Sequence, residues 1–276
     1  MPSSSAPCLV WFRQDLRLED NSAVAAAIAT GQPIIPVYLW APEEEAPWQP
    51  GGASRWWLHH ALADLDAQLQ ALGSRLIVKQ TGSSLEALRA LAKSTGARAV
   101  HWNRRYEPKI IARDTEIKAA LKDAGLQPES HNSSMLFEPH QIANKSGRPF
   151  QVFTPLWKHY RTLTVPEPVK VDLKELSSPK SWPVSESLPL LPKLPWDAGF
   201  VEWWQTPSRA SALKRLKTFI RSDAEDYLSQ RDLPAQDGTT QLSPYLHFGQ
   251  VGPRELWSRL AKASNQLKVV RKRALT

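Results

Sequence analysis

The run Thr239, Thr240, Gln241, Leu242 and Ser243 sets three hydroxyls immediately before Pro244. Serine is a favoured N-cap and proline is preorganised for the first helical position, so the spacing predicts a helix beginning at Ser243–Pro244. The unpaired N–H groups and dipole of such an end favour an anion, and hydroxyls add hydrogen bonds without charge repulsion. A phosphate group suits this chemistry. Ordinary capping competes with that reading, but it needs only Ser243 and leaves Thr239 and Thr240 without a role. A second concentration is WFRQDLRLEDN (Trp11–Asn21), with Arg13, Asp15, Arg17 and Asp20 just past an apolar run. Charged groups there would lie beyond a strand's carboxyl end, where α/β sheets bind ligands. Salt bridges that order the loop explain the same residues equally well.

Other chemistry is not signalled. The first strand is not followed by GxGxxG, and P-loop and GxSxG signatures are missing. The seven histidines show no HExxH or similar spacing, so no metal-ligand set and no catalytic residue is assigned. Cys8 is the one cysteine, which excludes an intramolecular disulfide; it opens an apolar run and reads as a small buried hydrophobe.

The elements that must position these groups alternate over the first 131 residues. Apolar runs at Cys8–Phe12, Ile34–Trp40, Arg75–Lys79 and Arg98–Trp102 have strand length, and a last strand is expected near Gln127–His131. Helical periodicity fills the intervals at Asn21–Gly31, Ala53–Leu72, Ser83–Thr95 and Pro108–Ala124. Pro36 argues that the second strand is an edge or carries a bulge. Helices alternating with short apolar strands imply a doubly wound, Rossmann-like parallel sheet, an α/β domain over 7–134. From 135 to 206 prolines accumulate and periodicity is lost, predicting a long linker that wraps the surface, with a docked short helix within Gly147–Tyr160. From Pro207 the pattern is helical: Ser208–Arg221, a loop over Leu233–Gly238, the Ser243 helix ended by Gly249, and another from Gly252–Pro253 to about Ala263.

The net charge of +8 resides in the second half. Residues 1–134 carry 14 basic and 14 acidic side chains; the remainder carry 21 and 13. A basic half suggests a polyanion, although Lys268, Arg271, Lys272 and Arg273 supply part of the excess as a terminal cluster. Twelve tryptophans suit packing, base stacking or electron relay. The start MPSSSAP has no signal-peptide character and no window approaches about 18 consecutive apolar residues, so a cytoplasmic chain with no membrane span is expected.

Three ordered segments are specific. LVWFRQDLRLEDN, PFQVFTPLWK and YLSQRDLPAQDGTTQLSPYLHFGQVGPRELW resemble the photolyase/cryptochrome family, over about residues 8–260. The resemblance implies an N-terminal doubly wound domain, a long linker and the start of an all-helical FAD-binding domain over 207–276. It implies a monomer acting by light on DNA containing pyrimidine dimers. Tyr227, Thr239, Thr240, Gln241, Leu242 and Ser243 match the family's first FAD contacts, around the phosphates and ribityl chain. Arg231 matches a basic position near DNA. Gln241 departs from the arginine that many members have. WNRRYEPKIIARD (Trp102–Asp114) resembles the helix beside an antenna chromophore, a folate or a deazaflavin. Lys109 and Ile110 replace the Asn–Glu pair of folate-binding members, so the antenna is unassigned.

In the family a helical bundle follows Leu260, whereas this sequence reads AKASNQLKVVRKRALT. The expectation is a C-terminally truncated photolyase, inactive by itself, with no stoichiometric FAD and with apolar faces in Ser208–Ala263 left without partners. A cryptochrome-type photoreceptor shares every motif present. A stand-alone antenna- or nucleotide-binding α/β protein is the third reading.

Overall fold

The computed structural model describes residues 6–144, 146–204 and 207–266. The basic cluster at Lys268–Arg273 lies outside them. Strands β1 (Cys8–Phe12), β2 (Ile34–Trp40), β3 (Ile77–Gln80), β4 (Ala99–Asn103) and β5 (Gln127–His131) form one sheet in the order β3-β2-β1-β4-β5, parallel throughout. Helices α1 (Ser22–Ala29) and α2 (Gly52–Ala71) cover one face, α3 (Ser84–Thr95) and α4 (Pro108–Asp123) the other. β1, β2 and β4 are buried along their whole length, and β1 and β2 are apolar, as strands covered on both faces must be. Asn21 caps α1 by accepting from Val24 N, and Ser83 caps α3 through Glu86 N.

Pro36 does not mark an edge: β2 lies between β3 and β1. Ile34 N donates away from β1, to Ser177 O at 2.8 Å, and Pro36 has the same parity. β3 joins only at Val37, so the donor that proline lacks would have found no strand beside it.

The segment after β5 threads over the α1–α2 face and the β3 edge. Glu186 N donates to Val78 O at 2.9 Å, closing that edge, while Leu190 is buried and Leu173, Leu176 and Leu188 pack on the core. Within it α5 (Phe153–Tyr160) forms, but it is not docked as expected. None of its residues is buried, and its anchor is Tyr160 edge-on to Phe137 at 5.3 Å.

The helical part comprises α6 (Phe200–Trp204), α7 (Arg209–Thr218) with a π-helical turn at Phe219–Asp223, α8 (Tyr227–Gln230), α9 (Ser243–His247) and α10 (Pro253–Gln266). Part of its apolar surface has a partner, while Leu228, Leu233, Leu246 and Trp257 stay exposed. Ala212, Leu216, Leu242, Tyr245, Phe248 and Val251 share a core with Trp56–Leu62 of α2, so the indole surface on that helix seats them. Trp57 meets Trp204 and Tyr245 edge-on at 5.3 and 4.9 Å, and its Nε1 donates to Gln250 Oε1 at 2.9 Å. No helix among the described residues is long and apolar enough to cross a membrane.

Candidate functional site

The hydroxyl run sits between α8 and α9, and one close approach fixes it there. A Cβ on Gly238 would lie 2.5 Å from Gln230 Cβ and 2.9 Å from the Gln230 carbonyl carbon. The loop leaving α8 therefore returns onto it, placing Thr239 beside the helix that Tyr227 begins. Thr239 and Ser243 are exposed, Thr240 and Gln241 half-buried and Leu242 buried. Gln241 adopts φ +51°, which turns the chain so that Leu242 enters the core while Thr239 and Ser243 stay exposed.

Ser243 is not the N-cap. Leu242 occupies that position, with no side-chain capping bond, and Ser243 begins a five-residue helix with Pro244 behind it. The buried leucine, rather than a capping hydroxyl, sets where α9 starts. This leaves the Ser243 side chain in solvent, along with that of Thr239.

Two charged neighbours frame the run. Arg215, from α7, donates from Nη1 to Gln241 Oε1 at 2.6 Å and lies over the Trp204 ring at 5.4 Å. Gln241 Nε2 in turn binds Asp237. Tyr227 is half-buried, edge-on to Phe219 at 5.8 Å, and the Arg231 guanidinium lies 5.7 Å over its ring. Arg231 is exposed, with Asp232 at 3.4 Å. Sequence reasoning missed Arg215, because it lies 26 residues upstream on another helix and no local spacing connects it to the run.

The residues after β1 are buried and interlocked. Arg13 donates to Asp114 Oδ2 at 2.5 Å and to the Asn103 carbonyl; Asn103 Nδ2 reaches Asp15 at 2.6 Å. Arg17 donates to the carbonyls of Asp20 at 2.8 Å, Gly249 at 2.9 Å and Ser133 at 2.6 Å. Burial pushes both guanidiniums down and the Asp20 carboxyl up, against the opposing pull of their partners. Arg17 and Asp20 order the loop as the second reading has it, but through backbone groups rather than a salt bridge: Asp20 Oδ1 accepts from Val169 N at 2.8 Å. Cys8 is buried, and that burial pushes its thiol up to about 11, well away from nucleophilic range.

A cleft of about 440 Å³ opens beside that network, at the carboxyl ends of β1 and β2 and the start of α4. Trp11 forms its floor, with Arg13 and Arg113 over the indole at 4.8 and 5.3 Å. Tyr38, Trp40 and the exposed Trp48 supply apolar surface, and Arg105, held by Glu45 and Glu107 at 2.5 and 2.7 Å, supplies polar rim. Lys109 and Ile110 line it as well. The position is the topological switch point between β1 and β4. Trp11, Tyr38 and Trp40 read in sequence as strand core, which hid their second role.

A family profile described as DNA photolyase matches residues 8–174. The deoxyribodipyrimidine photo-lyase of Agrobacterium fabrum is 41% identical over 261 residues, covering 93% of this chain and 53% of that protein. Cryptochrome-1 of Arabidopsis thaliana is 37% identical over 257 residues, covering 90% of this chain and 37% of that protein. Among solved structures, a bacterial class III photolyase from Agrobacterium tumefaciens superposes with a TM-score of 0.89 at 39% identity, over 99% of this chain and 57% of that one. The chain spans about half the length of the photolyases it matches.

Proposed function

The chain belongs to the DNA photolyase family, and from that premise we propose that it is built for light-driven splitting of pyrimidine dimers in DNA, a carbon–carbon lyase reaction, as a monomer. The domains we assign are 7–134 (α/β), 135–206 (linker) and 207–276 (the FAD-binding part). FAD, reduced and excited by light, supplies the electron for the family's reaction. Tyr227 and the Thr239–Ser243 run would hold its phosphate and ribityl region. The observation that carries this reading is the Gly238–Gln230 contact, which gathers α8 and the hydroxyl run on one side of the loop. The residues fit an anionic group: exposed hydroxyls at Thr239 and Ser243, a half-buried one at Thr240, and a guanidinium at Gln241, whose amide nitrogen also holds Asp237. Arg215 thereby restores, from another helix, the positive charge that Gln241 lacks.

Because Thr239 and Ser243 face solvent, the 276 residues by themselves retain no stoichiometric flavin and split no dimers; a purified preparation with near-stoichiometric flavin absorbance would refute this. Added FAD should still bind weakly. The double variant T239A/S243A should weaken that binding at least about 100-fold in fluorescence titration, as loss of two hydrogen bonds to a charged group implies. Unchanged affinity would remove the run from the site.

The cleft supports a companion role, in which a planar antenna chromophore, a folate or a deazaflavin, packs against the exposed Trp48 and the polar rim at Arg105. If that cleft alone binds a pterin or deazaflavin, a stand-alone chromophore-binding protein becomes the better description. Light signalling, the reading suggested by the 37% identity to cryptochrome-1, is the alternative to repair. Salt-dependent binding that prefers irradiated DNA would favour repair over it.

A further inference from the structure

Away from both sites, three side chains converge at the open edge of the sheet. β5 is the edge strand, and Glu129 and His131 alternate onto its α1 face, where His101 of β4 stands in register with Glu129. His101 Nδ1 lies 3.4 Å from His131 Nε2, 3.8 Å from Glu129 Oε2, and that same oxygen is 4.0 Å from His131 Nε2. Tetrahedral zinc, with Zn–N bonds of 2.0–2.1 Å, holds two ligating nitrogens about 3.4 Å apart. The imidazoles already stand at that separation. Glu129 is half-exposed, so its carboxylate is free to close the remaining few tenths of an ångström. The nearby cations are engaged elsewhere: Arg104 and Lys118 bind Ser130, which alternates to the opposite face, and Arg104 also pairs with Glu138 at 2.7 Å. Among the described residues this is the one trio of histidine, cysteine or carboxylate groups with such spacing.

We propose that His101, Glu129 and His131 bind one divalent transition-metal ion, zinc by ligand type, leaving a solvent-facing fourth position for water. Two imidazoles exclude the oxygen-seeking magnesium and calcium. The ion would pin the edge strand β5 to β4 by bonds between side chains, at the place where the ladder has no further strand.

The test uses the 276-residue protein, stripped with chelator, desalted and titrated with Zn²⁺ against a chromophoric chelator, with Co²⁺ as spectroscopic probe. One equivalent should bind, and Co²⁺ should give the intense visible bands of a four-coordinate site. H131A should lose about 100-fold in affinity and E129Q about tenfold, the latter at an exposed position whose change leaves folding intact. H59A/H60A, which removes the other adjacent histidine pair, should bind as the parent does. Failure of the folded parent to bind one equivalent overturns the proposal, as does unchanged affinity in E129Q or loss of binding in H59A/H60A.

Discussion

Arg17 is the side chain on which the two halves of the chain meet. It leaves the β1 loop, is fully buried, and donates to carbonyls at Asp20, Ser133 and Gly249, so its guanidinium is solvated by backbone oxygens rather than paired with one carboxylate. Replacing it with methionine strands those acceptors in the interior. R17M should lose about 3–5 kcal/mol, read from urea unfolding. Arg209 plays the matching role from α7, with both its terminal nitrogens on Glu255 at 2.9 Å. Burial would raise the Glu255 carboxyl, but Arg209 and Arg259 outweigh it and hold the group below its ordinary 4.5. The unfolded chain therefore binds this proton more readily than the folded one. The pair's stabilisation is full above pH 4.5 and is lost as pH falls through the lower folded value. A pH series of unfolding midpoints should show this acid loss in the parent and a flatter profile in E255Q.

At the scale of elements, the turn between α9 and α10 is built on close approach. Gly249 has φ +68°, and a Cβ there would lie 2.1 Å from Gln14 O and 2.4 Å from Asp15 Cα. The α9 end thus rests directly on the backbone of the β1 loop, where Leu16 N also donates to Phe248 O at 3.1 Å. Gly31, at the end of α1, has the same φ but nothing within 4 Å. Gly31→Ala should cost roughly 1 kcal/mol, the left-handed penalty alone. Gly249→Ala adds displacement of packed backbone, and should cost at least roughly 2 kcal/mol more in the same thermal or denaturant assay. Equal losses at the two positions would mean that the α9–α10 turn is not seated as tightly as its geometry states.

For the whole molecule, the question is whether the excess positive charge meets DNA. Arg231 is exposed beside Tyr227, and its ion-pair partner among the described residues, Asp232, is itself solvated, so the guanidinium is available to a phosphate at little cost. R231A should weaken binding to irradiated duplex uniformly across sequences. It should also reduce the slope of log affinity against log salt by about one unit. An unchanged slope would place the DNA face elsewhere.

The doubly wound sheet was legible in the sequence because burial on both faces imposes near-continuous apolar runs on Cys8–Phe12 and Ile34–Trp40, separated by helical periodicity. The family was legible for a related reason: its ordered motifs are contiguous, and contiguity survives in one dimension. What the tertiary structure decided lies between segments far apart in the chain. Leu242 rather than Ser243 caps α9, since burial of an apolar side chain outweighed the local preference for a hydroxyl. Pro36 is tolerated inside the sheet because β3 starts one residue later. Arg215 reaches Gln241, Arg17 reaches Gly249, and His101 reaches His131 across distances that no local pattern encodes. Side-chain type and spacing set which elements form; only their packing determines which charges, hydroxyls and imidazoles end within reach of one another.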